Sequence, residues 1–272
     1  MLKQGKLGIL AGGGELPRLL IRSCRETERP VFVIALTGQC DLETVVGVDH
    51  AWVPIGKAGR SIKLLKANHV EQVVMAGNVT KPTLLQLMPD AKTLKFIAGG
   101  LLNKGDDGLL SAIVQDLETN DGFTFIGVHD VLPDLLTPAG VLGKIQPSKT
   151  DQQALTLAVK AALDLGAKDL GQAAVATPEN IVALEDRSGT DAMLKRLVDP
   201  AEAVGGVLAK MCKPDQEKRA DLPTIGVITV EHAKRAGLSG IALQATASLI
   251  IDRPAVIKAV DEAGLFLIGV PS

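Results

Sequence analysis

Three adjacent glycines, Gly12-Gly13-Gly14, follow a short apolar run and precede a helical pattern with Pro17 near its first turn. Glycine permits positive φ and close backbone approach, and free N–H groups at a helix start attract an anion. The segment therefore reads either as a backbone cradle for a nucleotide phosphate or as a plain tight strand–helix turn. Its spacing is not G-x-G-x-x-G, because Leu16 and Pro17 stand where the third glycine would be. The Lys-Ser/Thr of a P-loop is absent as well. A second turn, Gly77-Asn78, also follows an apolar strand pattern. Asn78 offers an amide for a ribose, a uracil edge or a phosphate, or serves only as an Asx-turn residue. Turns that follow parallel strands emerge on one edge of the sheet, where open α/β folds bind ligands.

Carboxylates form the next group. Asp106 and Asp107, after Lys104-Gly105, open an apolar helical pattern; one suits an N-cap, and a second adjacent acid suits Mg²⁺ or a sugar hydroxyl. Glu185 and Asp186 end a strand pattern, and Gly189, Thr190 and Asp191 follow at a helix start. Capping explains Thr190 and part of Asp191, but not the acids at the strand end. Between Lys210 and Gly226 the basic residues Lys210, Lys213, Lys218 and Arg219 surround Asp215, Glu217 and Asp221. Such a loop is ordinarily solvated surface. Asp221, however, leads into the apolar run Leu222–Gly226, where a carboxylate beside basic residues can order a metal or an attacking water next to a phosphate. Neither a nucleophile–base dyad nor a G-x-S-x-G elbow is visible. Metal- or carboxylate-assisted attack of water fits these residues better than covalent catalysis.

The elements that must carry these residues alternate. Strands are expected at 7–11, 31–36, 51–54, 73–76 and 124–128, with helices at 16–25, 62–67 and 104–118. After a Pro/Gly-punctuated stretch, a helix at 151–165 precedes strands at 172–177 and 181–185. A helix at 190–198, a strand at 225–230, a helix at 254–262 and a strand at 266–270 complete the pattern. The expected fold class is α/β in two domains. The N-terminal one (1–132) is a nucleotide-binding, Rossmann-like domain with a mainly parallel sheet. A connector (133–150) leads to a smaller mixed α/β domain (151–272).

Composition narrows the classes. Of 272 residues 46% are hydrophobic but only 2% aromatic, which suits buried parallel strands and not base stacking on single strands. The formal charge of −2 supplies no basic field for a polyanion, so no nucleic-acid partner is expected. Mean hydropathy is +0.24, yet the apolar stretch 237–251 is broken by Ser239, Gln244, Thr246 and Ser248, short of a bilayer span. With no signal-peptide pattern at the N-terminus, a soluble cytoplasmic protein is expected. Cys24, Cys40 and Cys212 lack C-x-x-C spacing and read as free thiols; the four scattered histidines make no zinc motif.

Taken in order, GILAGGGELP, AGNVTKP, KGDDGLL, SGTDAMLKR, KPDQEKRADLPTIG and GLFLIGV span nearly the whole chain. Together they resemble the UDP-2,3-diacylglucosamine pyrophosphatase family of lipid A biosynthesis in Gram-negative bacteria. The resemblance implies Mg²⁺-dependent hydrolysis of the substrate's pyrophosphate to UMP and 2,3-diacylglucosamine 1-phosphate (lipid X). Water would attack the sugar-side phosphorus, and two α/β domains would hold the lipid-sugar between them. Asp221, in R-x-D-L-P-T-I-G, is implied as the catalytic residue. The turns Gly12, Gly13, Gly14, Gly77 and Asn78 would hold the nucleotide end. Lys104, Asp106, Asp107, Gly189, Thr190, Asp191, Lys213, Gln216, Arg219 and Thr224 complete the substrate set, with Asp221, Asp191 and Glu185 as metal ligands. One departure stands out: Ser188 occupies a position where the family often has an acid before Gly-Thr-Asp. A lipid substrate implies transient contact with the cytoplasmic face of the inner membrane, and a homodimer is a candidate assembly. Two other classes compete: a non-catalytic UDP-sugar or nucleotide sensor using the same cradle, and a Rossmann-type oxidoreductase, which the missing G-x-G-x-x-G disfavours.

Overall fold

The computed structural model describes residues 5–80, 88–98, 106–197, 201–214 and 216–271. The chain divides into two compact units: Met1–Pro133 with Glu217–Asp221, and Asp134–Gln216 with Leu222–Ser272. Glu217–Asp221, expected in the second domain, thus groups with the first.

The first unit runs β1 (Leu7–Ala11), α1 (Leu16–Glu26), β2 (Val31–Leu36), β3 (His50–Val53), α2 (Ala58–Ala67), β4 (Gln72–Ala76), α3 (Ala91–Ala98), α4 (Asp106–Thr119), β5 (Thr124–Phe125) and α5 (Val128–Val131). All pairings in its sheet are parallel, in the order β3-β2-β1-β4-β5. Near-continuous apolar strands suit a sheet covered on both faces. Phe32, Ile34, Val53, Val73 and Phe125 of the sheet pack with Ile62 and Leu65 of α2 and Val114 and Leu117 of α4. On α1 the buried Pro17, Leu20, Ile21 and Cys24 follow helical spacing. The chain leaves β1 toward β3 on one side and returns to β4 and β5 on the other. The strand order therefore reverses between β1 and β4, where open α/β sheets bind ligands. The strand expected at 124–128 is shorter, because Gly127 and Asp130 cap a helical turn from Val128.

The second unit runs β6 (Gly140–Val141), α6 (Lys149–Gly166), β7 (Ala173–Ala176), β8 (Ile181–Leu184), α7 (Thr190–Arg196), β9 (Val207–Lys210), β10 (Thr224–Ile225), α8 (Val227–Arg235), β11 (Gly240–Gln244), β12 (Leu249–Ile250), α9 (Arg253–Ala263) and β13 (Phe266–Val270). Its six-stranded sheet, β6-β13-β11-β9-β7-β8, is mixed: β13, β11 and β9 are parallel, the outer pairings antiparallel. Side chains alternate between two cores. Val175, Leu208, Ile241 and Leu267 face Met193, Val230 and Val256 of α7, α8 and α9. Ala174, Ala209, Ala242 and Phe266 face Ala154, Ala158 and Ala161 of α6, whose N-terminus carries a Ser148–Asp151 capping box. The stretch expected as a connector supplies β6, and Thr137 within it is fully buried.

The strand expected at 225–230 is a correction. Only Thr224–Ile225 is extended, and Val227–Arg235 is helical, burying Thr229, Val230, His232 and Ala233 on one face. Its β-branched residues favour strands, but packing against α7 and α9 overrides that preference. Among the described residues no helix is long and apolar enough to cross a membrane, and the apolar stretch 237–251 forms β11 and β12. The three cysteines are buried.

After β11, the exposed Thr246 holds φ +58°, a left-handed conformation that is strained for a β-branched residue. Its amide donates to the carbonyl of Thr137 at 2.8 Å, which fixes the turn. Thr246→Gly relieves the strain against a smaller gain in unfolded-chain entropy, so stability is expected to rise by about 1 kcal/mol. Thermal unfolding checks this, and a lower Tm would contradict it.

Candidate active site

The two glycine turns meet at the strand-order reversal. Ala11 and Ala76 pair at the ends of β1 and β4, and an antiparallel bridge joins Gly13 to Asn78 beyond them. Gly13 N donates to Asn78 O at 2.8 Å, Asn78 N returns a bond to Gly13 O at 2.9 Å, and Gly12 N donates to Ala76 O at 2.9 Å. The amides of Gly12 and Gly13 are thus engaged in joining the turns. The glycines are there for close approach. A Cβ at Gly12 would lie 2.4 Å from Asn78 O, and one at Gly77 2.5 Å from Gly13 O. Gly14 N faces Asp41 Oδ2 at 3.4 Å, and Asp41 also accepts from Arg18 at 2.9 Å. Gln39 bonds both backbone groups of Thr80, at 2.8 and 3.2 Å. The sequence does not single out Asp41 and Gln39, because nothing local ties a loop after β2 to the glycine turn. The Asp41 carboxylate at this turn accepts from hydroxyl or N–H donors, with its charge offset by Arg18. With the exposed side chain of Asn78 beside it, the turn suits the ribose or base of a nucleotide.

Asp221 belongs to the segment Glu217–Asp221 of the first unit. Glu217 O accepts from Ala220 N at 2.9 Å and Asp221 N at 3.0 Å, closing a turn that leaves the Asp221 side chain exposed. Ala220 packs against the core that holds Phe123 and Phe125. The Arg219 guanidinium bonds Glu217 twice (3.0 and 2.9 Å), Glu118 of α4 twice (2.8 and 3.4 Å) and the carbonyl of Phe125 (3.2 Å). Its five donors are all used. Each donor of Arg219 therefore has a protein acceptor. Phe125 N also donates to Glu118 Oε1 at 3.2 Å. Glu118, which the sequence alone does not single out, anchors Arg219.

Bonds from Arg219, opposed by partial burial, hold the Glu217 carboxyl below its ordinary 4.5. The same contacts, the Glu217 bond foremost, push the guanidinium pKa upward. A carboxylate with a depressed native pKa contributes stability that is complete above its unfolded value and is lost as pH falls through the native one. The segment is thus expected to stay docked above pH 4.5 and to loosen below it. Protection factors of the Ala220 and Asp221 amides that fall in that acidic window check this; factors flat across it contradict it.

Within the second unit, Thr190 Oγ1 donates to Glu185 Oε1, and Gln172 N donates to Glu185 Oε2 at 2.7 Å. Glu185 is buried with both oxygens engaged, so it fits a structural acceptor and not a metal ligand. Asp191 Oδ1 lies 3.4 Å from Thr229 Oγ1 and 3.4 Å from His232 Nδ1, at the start of α7 beside Gly189 with its φ of +87°. Gln216 is buried and its Oε1 accepts from Lys213 N (3.1 Å) and Cys212 Sγ (3.2 Å). Lys213 Nζ pairs with Asp169 at 2.8 Å, and Thr224 O accepts from Lys210 Nζ at 3.1 Å.

Lys104 and Asp215 lie outside the described residues, and Asp106 and Asp107 begin α4. Among the described residues no three His, Cys, Asp or Glu side chains converge on a cation site. Asp221 belongs to the first unit, Asp191 and Glu185 to the second, so the three carboxylates form no ligand set within either unit.

Models of the LpxI N-terminal domain and the LpxI C-terminal domain match residues 6–135 and 138–268. A relative from Caulobacter vibrioides named UDP-2,3-diacylglucosamine pyrophosphatase LpxI is 42% identical, over 97% of each chain. Two solved Aspergillus clavatus structures show only slight likeness. Carboxyaminoimidazole ribonucleotide synthase complexed with ATP is 16% identical, covering 58% of this chain and 36% of that one, at a TM-score of 0.25. N5-carboxyaminoimidazole synthase with ADP and 5-aminoimidazole ribonucleotide is 14% identical, covering 69% and 42%, also at 0.25. Those scores carry no argument. The two domain models and the end-to-end relative do, and the chain belongs to the LpxI family.

Proposed function

We propose that the protein is a hydrolase of lipid A biosynthesis that cleaves the pyrophosphate of UDP-2,3-diacylglucosamine to UMP and 2,3-diacylglucosamine 1-phosphate. The end-to-end match to a relative of that name is the observation that carries the reading. The docked position of Asp221 supports it, because a carboxylate held on an ordered turn can act on a water at fixed geometry. In this reading Asp221 takes the proton of a water whose oxygen bonds to the sugar-side phosphorus. The bond from that phosphorus to the bridging oxygen breaks, and UMP leaves with the electron pair. The Gly12–Gly14 and Gly77–Asn78 turns take the uridine end, with Asp41 accepting from its hydroxyls. Gly189, Thr190, Asp191 and Lys213 belong to the sugar-phosphate side of the reading.

Mg²⁺ is the cofactor this reading calls for, to offset the charge of the pyrophosphate. Glu185 does not fit among its ligands, so no step is assigned to the ion. EDTA is expected to stop UMP release and added Mg²⁺ to restore it; full activity in EDTA would remove Mg²⁺ from the account. The acyl chains place the enzyme at the cytoplasmic face of the inner membrane in this reading.

A further inference from the structure

Arg219 lies two residues before Asp221 in a segment that the fold borrows from the second half of the chain. The chain enters the first unit at Glu217 and leaves it after Asp221. So short an insert has little apolar surface to hold it; only Ala220 packs against the core cluster there. What fixes its register is the guanidinium, which grips the insert's own Glu217, Glu118 on α4 and the backbone of edge strand β5. It also lies over the Phe125 ring, 5.9 Å from the centroid. Bidentate carboxylate contacts set direction as well as distance. The same Glu217 whose side chain Arg219 holds accepts, through its carbonyl, the amide of Asp221.

From this arrangement we infer that Arg219, clamped by Glu118 and Glu217, is a positioning residue that orients Asp221. The inference rests on the reading of Asp221 as the catalytic carboxylate. It assigns Arg219 no contact with substrate, because each of its donors has a protein acceptor. Lysine cannot replace it: one ammonium has three donors at a point and no fork to span two carboxylates.

The test combines steady-state UMP release from UDP-2,3-diacylglucosamine with amide exchange of the Glu217–Leu222 peptide. Arg219→Gln, Arg219→Lys, Glu118→Gln, the Glu118→Gln/Arg219→Gln pair and Asp221→Asn are compared with the wild type. Arg219→Gln is expected to lower kcat about 10- to 100-fold, the scale of a misplaced catalytic group, with KM within about twofold. Arg219→Lys should not rescue kcat. Glu118→Gln should lose less, since its amide keeps an acceptor, and the pair should lose no more than Arg219→Gln alone. Peptide exchange should quicken in all Arg219 and Glu118 variants while the melting of the whole chain stays close to wild type. Wild-type kcat in Arg219→Gln would overturn the inference. So would a loss confined to KM, which would place Arg219 on the substrate. If Arg219→Gln does not fold, Glu118→Gln decides: unchanged kcat with unchanged exchange overturns the clamp. An inert Asp221→Asn beside a fully active Arg219→Gln sinks only this inference. An active Asp221→Asn sinks the catalytic reading instead, and the positioning role with it.

Discussion

Asp221→Asn is expected to reduce UMP release at least about 10³-fold while leaving substrate binding and thermal stability near wild type. The change keeps the size of the side chain and removes its ability to accept the water proton. The Asp221 amide N–H donates to Glu217 O, and that bond survives the substitution. The side chain is exposed, so no core packing is lost. Comparing kcat and KM of the two proteins, with UMP quantified directly, checks this. A kcat within tenfold of wild type would move the chemistry elsewhere.

Gly77→Ala is expected to be the most damaging single methyl in the first unit. Gly77 holds φ +92°, and the added Cβ would meet Gly13 O at 2.5 Å and Gly12 C and Pro17 Cγ at 3.0 Å. Two of those atoms are backbone at the end of β1, so the turns must part and the Gly13–Asn78 bridge must break. Backbone strain and overpacking together cost about 3 kcal/mol, a fall in Tm on the order of 10 °C. Gly38, with φ +77° but open space around its Cβ position, is the control: Gly38→Asn should change Tm little. Equal losses in the two variants would show that the close approach of the turns is not what Gly77 provides.

The first unit was the more legible half. β1 and β2 fall at the residues expected, because buried parallel strands are apolar along their length and glycine marks where each stops. The two glycine turns were placed on one edge for the same reason. In the second unit the central strands β9 and β11 were missed: GVLAK and GIALQ are short runs whose partners lie far along the chain. The helix at Val227–Arg235 looked like a strand because Val, Ile and Thr crowd its first turn. Candidate site residues can be named from the sequence, but their connections cannot. RADLPTIG makes Asp221 a candidate, yet Arg219 meets Glu118 across 101 positions of sequence, which no local pattern records. Glu185 read as a free acid at a strand end until Thr190 and Gln172 were seen to occupy both of its oxygens. Nor does the sequence show that the amides of Gly12 and Gly13 meet the carbonyls of Ala76 and Asn78.

One measurement bears most directly on the account: incubation of the wild-type protein with UDP-2,3-diacylglucosamine and Mg²⁺ in ¹⁸O-labelled water. The account predicts release of UMP with the label in the sugar 1-phosphate, because the water bonds to the sugar-side phosphorus. Saturable binding of the substrate with no UMP formed would contradict it and leave a sensor of UDP-lipids in its place.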